Sequence, residues 1–230
     1  MNNILSYLKN KHLIWQGKAL HEPGEGGLSG YPELDAELEG GLPGQGVIDV
    51  HSDIGIGELR LFLPYLLNRQ EQQQRLLVII APPLLINGEM LAQMGIDLSL
   101  VLLISPDDQQ QALWAAEQCL KSDCCHTVLS WLQNLEIHQI KRLQLAAKQS
   151  NAVQFIFRSQ LTQGLSLPVT LAMSLSAQPK GLEVKINKRI GSWVHRNIHV
   201  NMQPHWPALQ LTESHNNHNN VIPFPKRHAS

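Results

Sequence analysis

The segment from Val47 to Leu61, VIDVHSDIGIGELRL, has the order of a phosphate-binding loop: an apolar strand, a glycine-bearing loop that includes Gly55, and the start of a helix. In a working loop, backbone N–H groups cradle the phosphates, a lysine reaches the β and γ oxygens, and a hydroxyl side chain binds Mg²⁺. The pattern GxxxxGK followed by Ser or Thr places Ser52 at the first glycine, Gly57 at the second, Glu58 at the lysine and Leu59 at the hydroxyl residue. Of these positions, only Gly57 keeps the residue type that nucleotide binding needs.

Glu58 is the most damaging of these replacements, because it puts an anion where the γ-phosphate needs a cation. A unit-charge contact at about 4 Å is worth about 4 kcal/mol at an effective dielectric constant of about 20. A micromolar complex rests on only about 8 kcal/mol in total, so repulsion there suffices to abolish nucleotide binding, and Leu59 also removes the metal ligand. The alternative is a plain strand, turn and helix that never bound a nucleotide. Both interpretations predict no ATP hydrolysis, no catalytic residue, and no cofactor or metal.

Apolar runs rich in β-formers alternate along the chain with helical patterns, and this order predicts the elements that position the loop. Strands without polar alternation that are joined by helices favour an α/β fold, with a mostly parallel sheet flanked by helices. The last two strands lack an intervening helix and predict a C-terminal antiparallel hairpin at an edge of the sheet. The predicted strands are Val47–Val50, Leu76–Ala81, Val101–Ile104, Thr127–Trp131, Val153–Phe157, Leu182–Asn187 and Trp193–Val200, and the predicted helices are Glu58–Asn68, Asn87–Met94, Gln111–Lys121 and Ile137–Gln149.

Composition divides the chain into one domain with short extensions. Apolar residues at Ile4, Leu5, Leu8 and Trp15 predict an N-terminal helix in residues 1–20 that packs against another surface. The glycine-rich residues 21–28 indicate a linker, and residues 29–202 are the predicted domain. Residues 203–230 are polar, with repeated Asn and His, and predict a disordered tail.

The 230 residues carry a formal net charge of −1, so no global field draws the protein to nucleic acid or membrane. The distribution is nevertheless uneven, because acidic residues dominate residues 21–58 and basic residues dominate after Pro179. One interpretation is that both charged regions are ordinary solvent-exposed faces. The more specific interpretation is that the basic region forms a docking surface near the C-terminal end. The candidate partner contacts of that surface are Lys185, Lys188, Arg189 and Arg196.

The cysteines and the hydropathy of the chain indicate the cellular compartment of the protein. Cys119, Cys124 and Cys125 form no CxxC motif and are typical of free thiols in a reducing cytosol. No stretch approaches the roughly 20 apolar residues that span a bilayer. We therefore predict a cytoplasmic protein that does not contact a membrane.

The stretch before the loop resembles the entry to the nucleotide loop in the RecA family, and the likeness continues through Ala81–Trp131. It rests on Ser29-Gly30, Leu34-Asp35, Gly40-Gly41, Pro43, Gly95-Ile96-Asp97, Pro106-Asp107, Gln111-Ala112-Leu113 and Lys121-Ser122. The resemblance implies a RecA-like core. It also places the family's catalytic glutamate at Pro83 and its Walker B aspartate at Trp131, so that neither carboxylate is present.

Two narrower resemblances point to bacterial damage-response proteins. The chain resembles ImuA, an accessory protein of damage-induced mutagenesis, and its middle region is also similar to SulA, the SOS inhibitor of cell division. ImuA fits better at this stage because the long front half is kept. The ImuA likeness rests on WQG at Trp15, Gly55–Pro64, Ile80–Pro83, Ala112–Leu120, Lys141–Ala147 and Phe155–Arg158; the SulA likeness rests on His126-Thr127-Val128, Trp131-Leu132, Arg142-Leu143, Ala146, Asn151-Ala152, Phe155-Ile156 and Arg158.

The ImuA resemblance implies a non-catalytic adaptor of SOS-induced error-prone translesion synthesis. Its partners would be an ImuB-type Y-family polymerase homologue, RecA and an error-prone replicative-type polymerase, with direct DNA contact left open. The alternative is a SulA-like inhibitor that binds FtsZ and stops division. A third possibility, a RecA-type ATPase with a cryptic site, is disfavoured by the missing lysine and hydroxyl.

Overall fold

The computed structural model of the protein describes residues 26–159, 167–189 and 197–207. The helices are α1 (Pro32–Glu37), α2 (Glu58–Gln73), α3 (Gly88–Gln93), α4 (Gln109–Lys121) and α5 (Ile137–Gln149), with a 3₁₀ turn at Leu98–Leu100. The strands are β1 (Gly46–His51), β2 (Leu76–Ile80), β3 (Val101–Ile104), β4 (Cys125–Trp131), β5 (Val153–Arg158), β6 (Leu171–Gln178), β7 (Gly181–Arg189) and β8 (Asn197–Asn201).

All eight strands lie in one sheet, in the order β3-β2-β4-β5-β1-β6-β7-β8. The six from β3 to β6 pair in parallel, whereas β7 and β8 pair antiparallel. This confirms the mostly parallel α/β sheet with flanking helices and the antiparallel C-terminal strands. β1 lies inside the sheet between β5 and β6, so the loop that follows β1 emerges at the middle of the carboxyl edge.

Local capping determines where three of the helices begin. The Asn87 side chain accepts a hydrogen bond from the Met90 N–H at the start of α3, and Asp108 does the same for Gln111 at the start of α4. Glu136 begins α5 with a capping box, in which the Gln139 side chain reaches back to the Glu136 N–H. These side chains satisfy N–H groups that have no partner within the helix, so each start position is set by short-range sequence.

Two apolar cores lie on opposite faces of the sheet. On one face, Phe62 and Tyr65 of α2 pack on Phe155 of β5, with ring centroids 4.8 and 6.0 Å away. On the other face, α4 and α5 bury a stripe that includes Leu120 and Leu143. Burial of the central strands on both sides explains why their sequences read as continuous apolar runs.

Two elements were missed by the sequence analysis: helix α1 and strand β6. β6 alternates Leu171, Met173 and Leu175, which are buried, with alanine and serine. The small residues between them hid the strand pattern, because alanine and serine also suit turns and helices. β6 pairs with β1 on one side and β7 on the other, so it joins the parallel part of the sheet to the antiparallel part.

The predicted extensions fall mostly outside the described residues. The N-terminal helix of residues 1–20, most of the linker at 21–28, most of the tail at 203–230, and the start of the last predicted strand lie there, and these assignments stay predictions. At the described ends, Gly27 exchanges two backbone hydrogen bonds with Leu42, and the His205 ring nitrogen Nε2 lies 2.9 Å from the Gly30 carbonyl. None of the described helices is both long and apolar enough to cross a membrane.

Candidate functional site: the loop after strand β1 and its apolar cavity

The loop between β1 and α2 is shaped by two left-handed glycines. Gly55 has φ of 84° and Gly57, immediately before the first residue of α2, has φ of 102°. A residue with a Cβ is strained at such angles, so glycine is required at both places. Between them the loop turns its backbone N–H groups inward, at the positive end of the α2 dipole, where an anion would bind favourably.

The carboxylate of Glu58 occupies this anion position. Its two oxygens accept hydrogen bonds from Gly55 N at 3.2 and 3.1 Å, and one of them also accepts from Gly57 N at 3.2 Å. The side chain is only 7% exposed. The sequence indicated that Glu58 would repel a phosphate; the structure adds that its carboxylate uses the N–H groups that a phosphate would need.

Replacing Glu58 with Ala is expected to destabilise the protein by about 1–3 kcal/mol, because the N–H groups of Gly55 and Gly57 would lose a charged hydrogen-bond acceptor. The change is measured as a shift in the urea midpoint at constant slope. Glu58→Gln is the matched control, since its amide oxygen can still accept hydrogen bonds and should recover part of the loss. Equal stability of Glu58→Ala and the wild type would show that the carboxylate does not hold the loop.

A cavity of about 310 Å³ opens beside the loop at the carboxyl edge of the sheet. It brings together Glu58 and Leu59, which the phosphate-loop pattern placed at nucleotide-handling positions, and Pro83 and Trp131, which the RecA resemblance placed there. Ser52 is outside the lining: it is buried, and its N–H donates to the Arg158 carbonyl at 2.9 Å. The four positions therefore converge in space although they come from three separate segments of the chain.

The cavity is apolar in character. Trp131 stacks on Phe157 of the core, with ring centroids 4.7 Å apart, and contributes to the lining. Its ionisable lining residues are Glu58, already engaged by the loop, and Arg60, whose guanidinium lies 5.3 Å from the ring centre of Trp206. A lining of this kind suits an apolar side chain better than a phosphate.

Three large apolar side chains of this lining are also exposed to solvent. Ile54 is 56% exposed, Leu84 is 62% exposed and Leu85 is 99% exposed. We call these three residues the cavity mouth. Adjacent exposed apolar residues of this size typically mark a contact surface. The sequence analysis did not single out Leu84 and Leu85, because the three-residue apolar run after Pro83 looks no different from a buried turn.

A buried charge cluster lies at the same edge of the sheet, across β1 and β5. Arg158 donates two hydrogen bonds to Asp49, from Nε at 2.8 Å and from its terminal nitrogen at 2.6 Å, and the His51 ring nitrogen Nε2 is 3.0 Å from Asp49. Burial alone would raise the pKa of Asp49, but the hydrogen bonds from His51 and Arg158 outweigh burial and hold the pKa below its ordinary value. Arg158 is thus a buried ion-pair partner.

Three of the four candidate basic contacts, Lys185, Lys188 and Arg189, lie on β7 in the described residues, and their assignment as a docking surface stays a prediction. The Lys188 ammonium donates to the Leu167 carbonyl at 2.7 Å, and Arg189 pairs with Glu39 at 3.2 Å. Lys185 is exposed on β7, and Arg196 lies outside the described residues. Two of the four cations are therefore already engaged within the domain.

The fold and this site define an α/β protein whose phosphate-type loop is filled by its own carboxylate and whose adjoining cavity can take apolar groups. Comparison with known families agrees with that class: residues 50–154 match the model of the family "Cell division inhibitor SulA". This part of the chain is a SulA family domain, and it includes the loop after β1 and every residue that lines the cavity.

Among solved structures, the crystal structure of SulA from Pseudomonas aeruginosa aligns with 49% of this chain and 97% of its own, at 32% sequence identity and a TM-score of 0.42. No curated protein sequence matches the chain.

The prediction of a translesion-synthesis adaptor is wrong. The match to the SulA family model favours the alternative function, an inhibitor of cell division, which the SulA resemblance implied. The comparisons support the SulA-related part of the resemblance, not the ImuA part, and give no support to an ImuB-type homologue, RecA or a polymerase as partner. The long front half, which favoured ImuA, was weaker evidence than the family-specific residues of the middle region.

Proposed function

We propose that this protein is a SulA-like inhibitor of cell division that acts in the SOS response by binding FtsZ. The observation that carries the proposal is the match of residues 50–154 to the SulA family model. The matched residues form the part of the domain that holds the filled loop, the cavity and its exposed mouth. Inhibition by binding requires a contact surface and no catalytic group, and this site offers the first.

We infer that FtsZ contacts the cavity mouth. Complete burial of a leucine side chain contributes about 1.5–3 kcal/mol, so Leu84 and Leu85 together can supply a large part of a micromolar affinity, about 8 kcal/mol. Both start from high exposure, so an arriving partner gains nearly their full burial. A few residues that are fully buried at the centre of an interface commonly dominate its energy.

We further infer a RecA-like core that has no catalytic activity. This inference is supported by the strand, glycine loop and helix at the centre of the carboxyl edge, and by the Glu58 carboxylate in the anion position. Titration calorimetry with ATP and Mg²⁺ tests it, and the expected result is no heat of binding. Micromolar binding would overturn this inference.

Purified wild-type protein is expected to block FtsZ assembly at near-stoichiometric amounts, and Leu85→Asp and Leu84→Asp are expected to weaken the block at least about tenfold, since about 1.4 kcal/mol corresponds to tenfold in affinity. Assembly is measured by sedimentation. Leu145→Asp is the matched control, because Leu145 is a 59% exposed leucine on α5, away from the cavity lining.

Overproduction in cells should produce filaments that the Leu85→Asp variant does not produce. Normal FtsZ assembly in the presence of excess wild-type protein, together with normal cell length, would refute the proposed function. A full block by Leu84→Asp and Leu85→Asp would instead refute the assignment of the surface.

A further inference from the structure

The turn between α4 and β4 brings three cysteines together at the amino edge of the sheet. Cys119 lies in the last turn of α4, Cys124 lies in the connecting turn, and Cys125 is the first residue of β4. Their solvent access differs, because Cys124 is exposed, Cys119 is partly buried and Cys125 is buried. The cluster is at the opposite edge of the sheet from the cavity, so it is separate from the proposed contact with FtsZ.

The way in which α4 ends places Cys124 beside Cys119. Asp123, the residue after the C-cap Ser122, has a left-handed φ of 59°, and its N–H donates to the Leu120 carbonyl at 3.4 Å. This left-handed residue and this hydrogen bond are features of the Schellman helix ending. In that ending, the side chain two positions past the C-cap contacts the third helical residue from the end. In this protein those two residues are Cys124 and Cys119.

Hydrogen bonds within the turn agree with this approach of the two cysteines. The Ser122 hydroxyl donates to the Cys119 carbonyl at 2.7 Å, and its oxygen lies 2.8 Å from the Cys124 sulfur. One hydroxyl therefore bridges the backbone of one cysteine and the thiol of the other. Burial, and then the charge of the neighbouring Cys124, raise the pKa of the Cys119 thiol, in keeping with a short separation.

Accessibility and hydrogen bonding give the three thiols different chemistry. Cys125 has no exposed surface, and its thiol donates to the Cys119 carbonyl at 3.2 Å. Burial raises the pKa of Cys125 to about 12, so it stays a protonated and unreactive core thiol. Cys124 is the thiol that a dissolved oxidant reaches. An accessible thiol with a second thiol beside it is the arrangement found in cysteines that form reversible disulfides.

We propose that Cys124 is a site of oxidation by hydrogen peroxide and that Cys119 captures the oxidised sulfur in a reversible disulfide. First, the Cys124 thiolate attacks one peroxide oxygen, the O–O bond breaks, and the departing hydroxide takes up a proton to become water. The Cys119 sulfur then attacks the sulfenic acid on Cys124, the S–O bond breaks, and hydroxide leaves with the Cys119 proton as a second water. The two thiols lose two electrons and two protons, and the peroxide receives both.

The disulfide is expected to be reversible in the cytosol. It spans the end of α4 and is open to solvent at Cys124, and exposed disulfides are the ones that cellular thiols reduce most readily. Capture by Cys119 also prevents a second peroxide from converting the sulfenic acid to sulfinic acid, a step that is irreversible. Cys119 therefore protects the accessible thiol during exposure to peroxide.

Peptide mapping of the full chain tests the disulfide, because trypsin cleaves after Lys121, between the two cysteines. Cleavage gives peptide 76–121, whose single cysteine is Cys119, and peptide 122–141, which holds Cys124 and Cys125. The folded protein is treated with hydrogen peroxide, alkylated in urea and then digested. The expected product is a cross-link between the two peptides with the mass loss of two hydrogen atoms. Glutathione added before alkylation should remove it.

Single variants identify the two sulfurs that react. Cys124→Ser should lose the cross-link, whereas Cys125→Ser, the matched control, should keep it. In Cys119→Ser the oxidised Cys124 has no thiol to capture it, so peptide 122–141 should gain two oxygen atoms as sulfinic acid. Cys124 is exposed, so its substitution should leave the fold intact, and a circular dichroism melt verifies that.

Two separate peptides after peroxide treatment of the wild type would overturn the proposal, as would a cross-link that survives Cys124→Ser. Loss of two hydrogen atoms within peptide 122–141 alone would also contradict it, because the disulfide would then join Cys124 and Cys125. A cross-link confined to covalent dimers on a non-reducing gel would show that the bond joins two copies. None of these measurements involves FtsZ, so the proposal can fail while the proposed function stands.

Discussion

Replacing Arg158 with Met is expected to lower the free energy of unfolding by about 3–5 kcal/mol, because it takes the guanidinium away from the buried Asp49 carboxylate and leaves the His51 ring as its neighbour. The residues Arg158 and Asp49 are 6% and 2% exposed, and they share two hydrogen bonds of 2.8 and 2.6 Å. A charge at such depth cannot be solvated by water, so the loss greatly exceeds that of a surface ion pair. A loss of this size is a large fraction of the stability of an ordinary domain.

Urea unfolding followed by circular dichroism measures the loss, with two controls. Asp49→Leu/Arg158→Met removes both charges and is expected to be close to the wild type, because a buried ion pair contributes little net stability over apolar residues of similar size. Asp123→Asn removes the exposed pair between Arg75 and Asp123 and should cost less than about 1 kcal/mol. Equal losses for Arg158→Met and Asp123→Asn would show that the pair at β1 and β5 is solvated.

Lowering the pH from 7 to 5 is expected to cost about 2 kcal/mol of stability through His126 alone. Burial, and then the neighbouring guanidinium groups of Arg69 and Arg75, lower the pKa of His126 from 6.5 to about 3. The side chain has no exposed surface, and its Nε2 has no hydrogen-bond partner in the described structure. The folded protein therefore holds this imidazole neutral over the whole range in which the unfolded chain protonates it.

The direction of the effect follows from proton uptake. Between pH 6.5 and about 3 the unfolded chain binds a proton at His126 that the folded protein does not bind, so stability falls as the pH falls. The loss begins near pH 6.5 and levels off near pH 3. The lowered pKa values of Asp49 and Glu117 act in the same direction, but they do so mainly near and below the ordinary values of 3.8 and 4.5, so the histidine dominates the change between pH 7 and 5.

Thermal or urea unfolding of the wild type and of His126→Phe across pH 4.5–7.5 measures this dependence. The variant keeps an aromatic ring but cannot titrate, so its stability should vary by about 2 kcal/mol less between pH 7 and 5. Parallel curves for His126→Phe and the wild type would contradict the buried neutral histidine.

The corrected function changes what the filled loop means. The match to the SulA family model covers both the loop and the cavity mouth. The Glu58 carboxylate holds the loop in its turned conformation without any ligand. The neighbouring cavity mouth therefore has a fixed wall in the free protein, which reduces the entropic cost of binding a partner there.

The sequence by itself determined the loop's chemistry and most of the sheet. The sequences of β1 to β5 are mostly apolar and are separated by segments of helical periodicity, so strands buried on both faces are the assignment that fits them best. Asn87, Asp108 and Glu136 indicate helix starts locally, because capping depends on residues three apart. Strand β6 was not predicted, because its apolar residues alternate with alanine and serine. Whether such residues form a strand depends on the neighbouring strands.

Only the tertiary structure decided which distant residues share a site. Glu58, Pro83 and Trp131 belong to three segments, and they meet because β1, β2 and β4 end at the same edge of one sheet. Likewise, Arg158 was recognisable as a cation, but its burial against Asp49 depends on β5 pairing with β1 across 109 positions of sequence. Residue type and short-range spacing set local chemistry, whereas strand order sets proximity, and no local pattern encodes strand order.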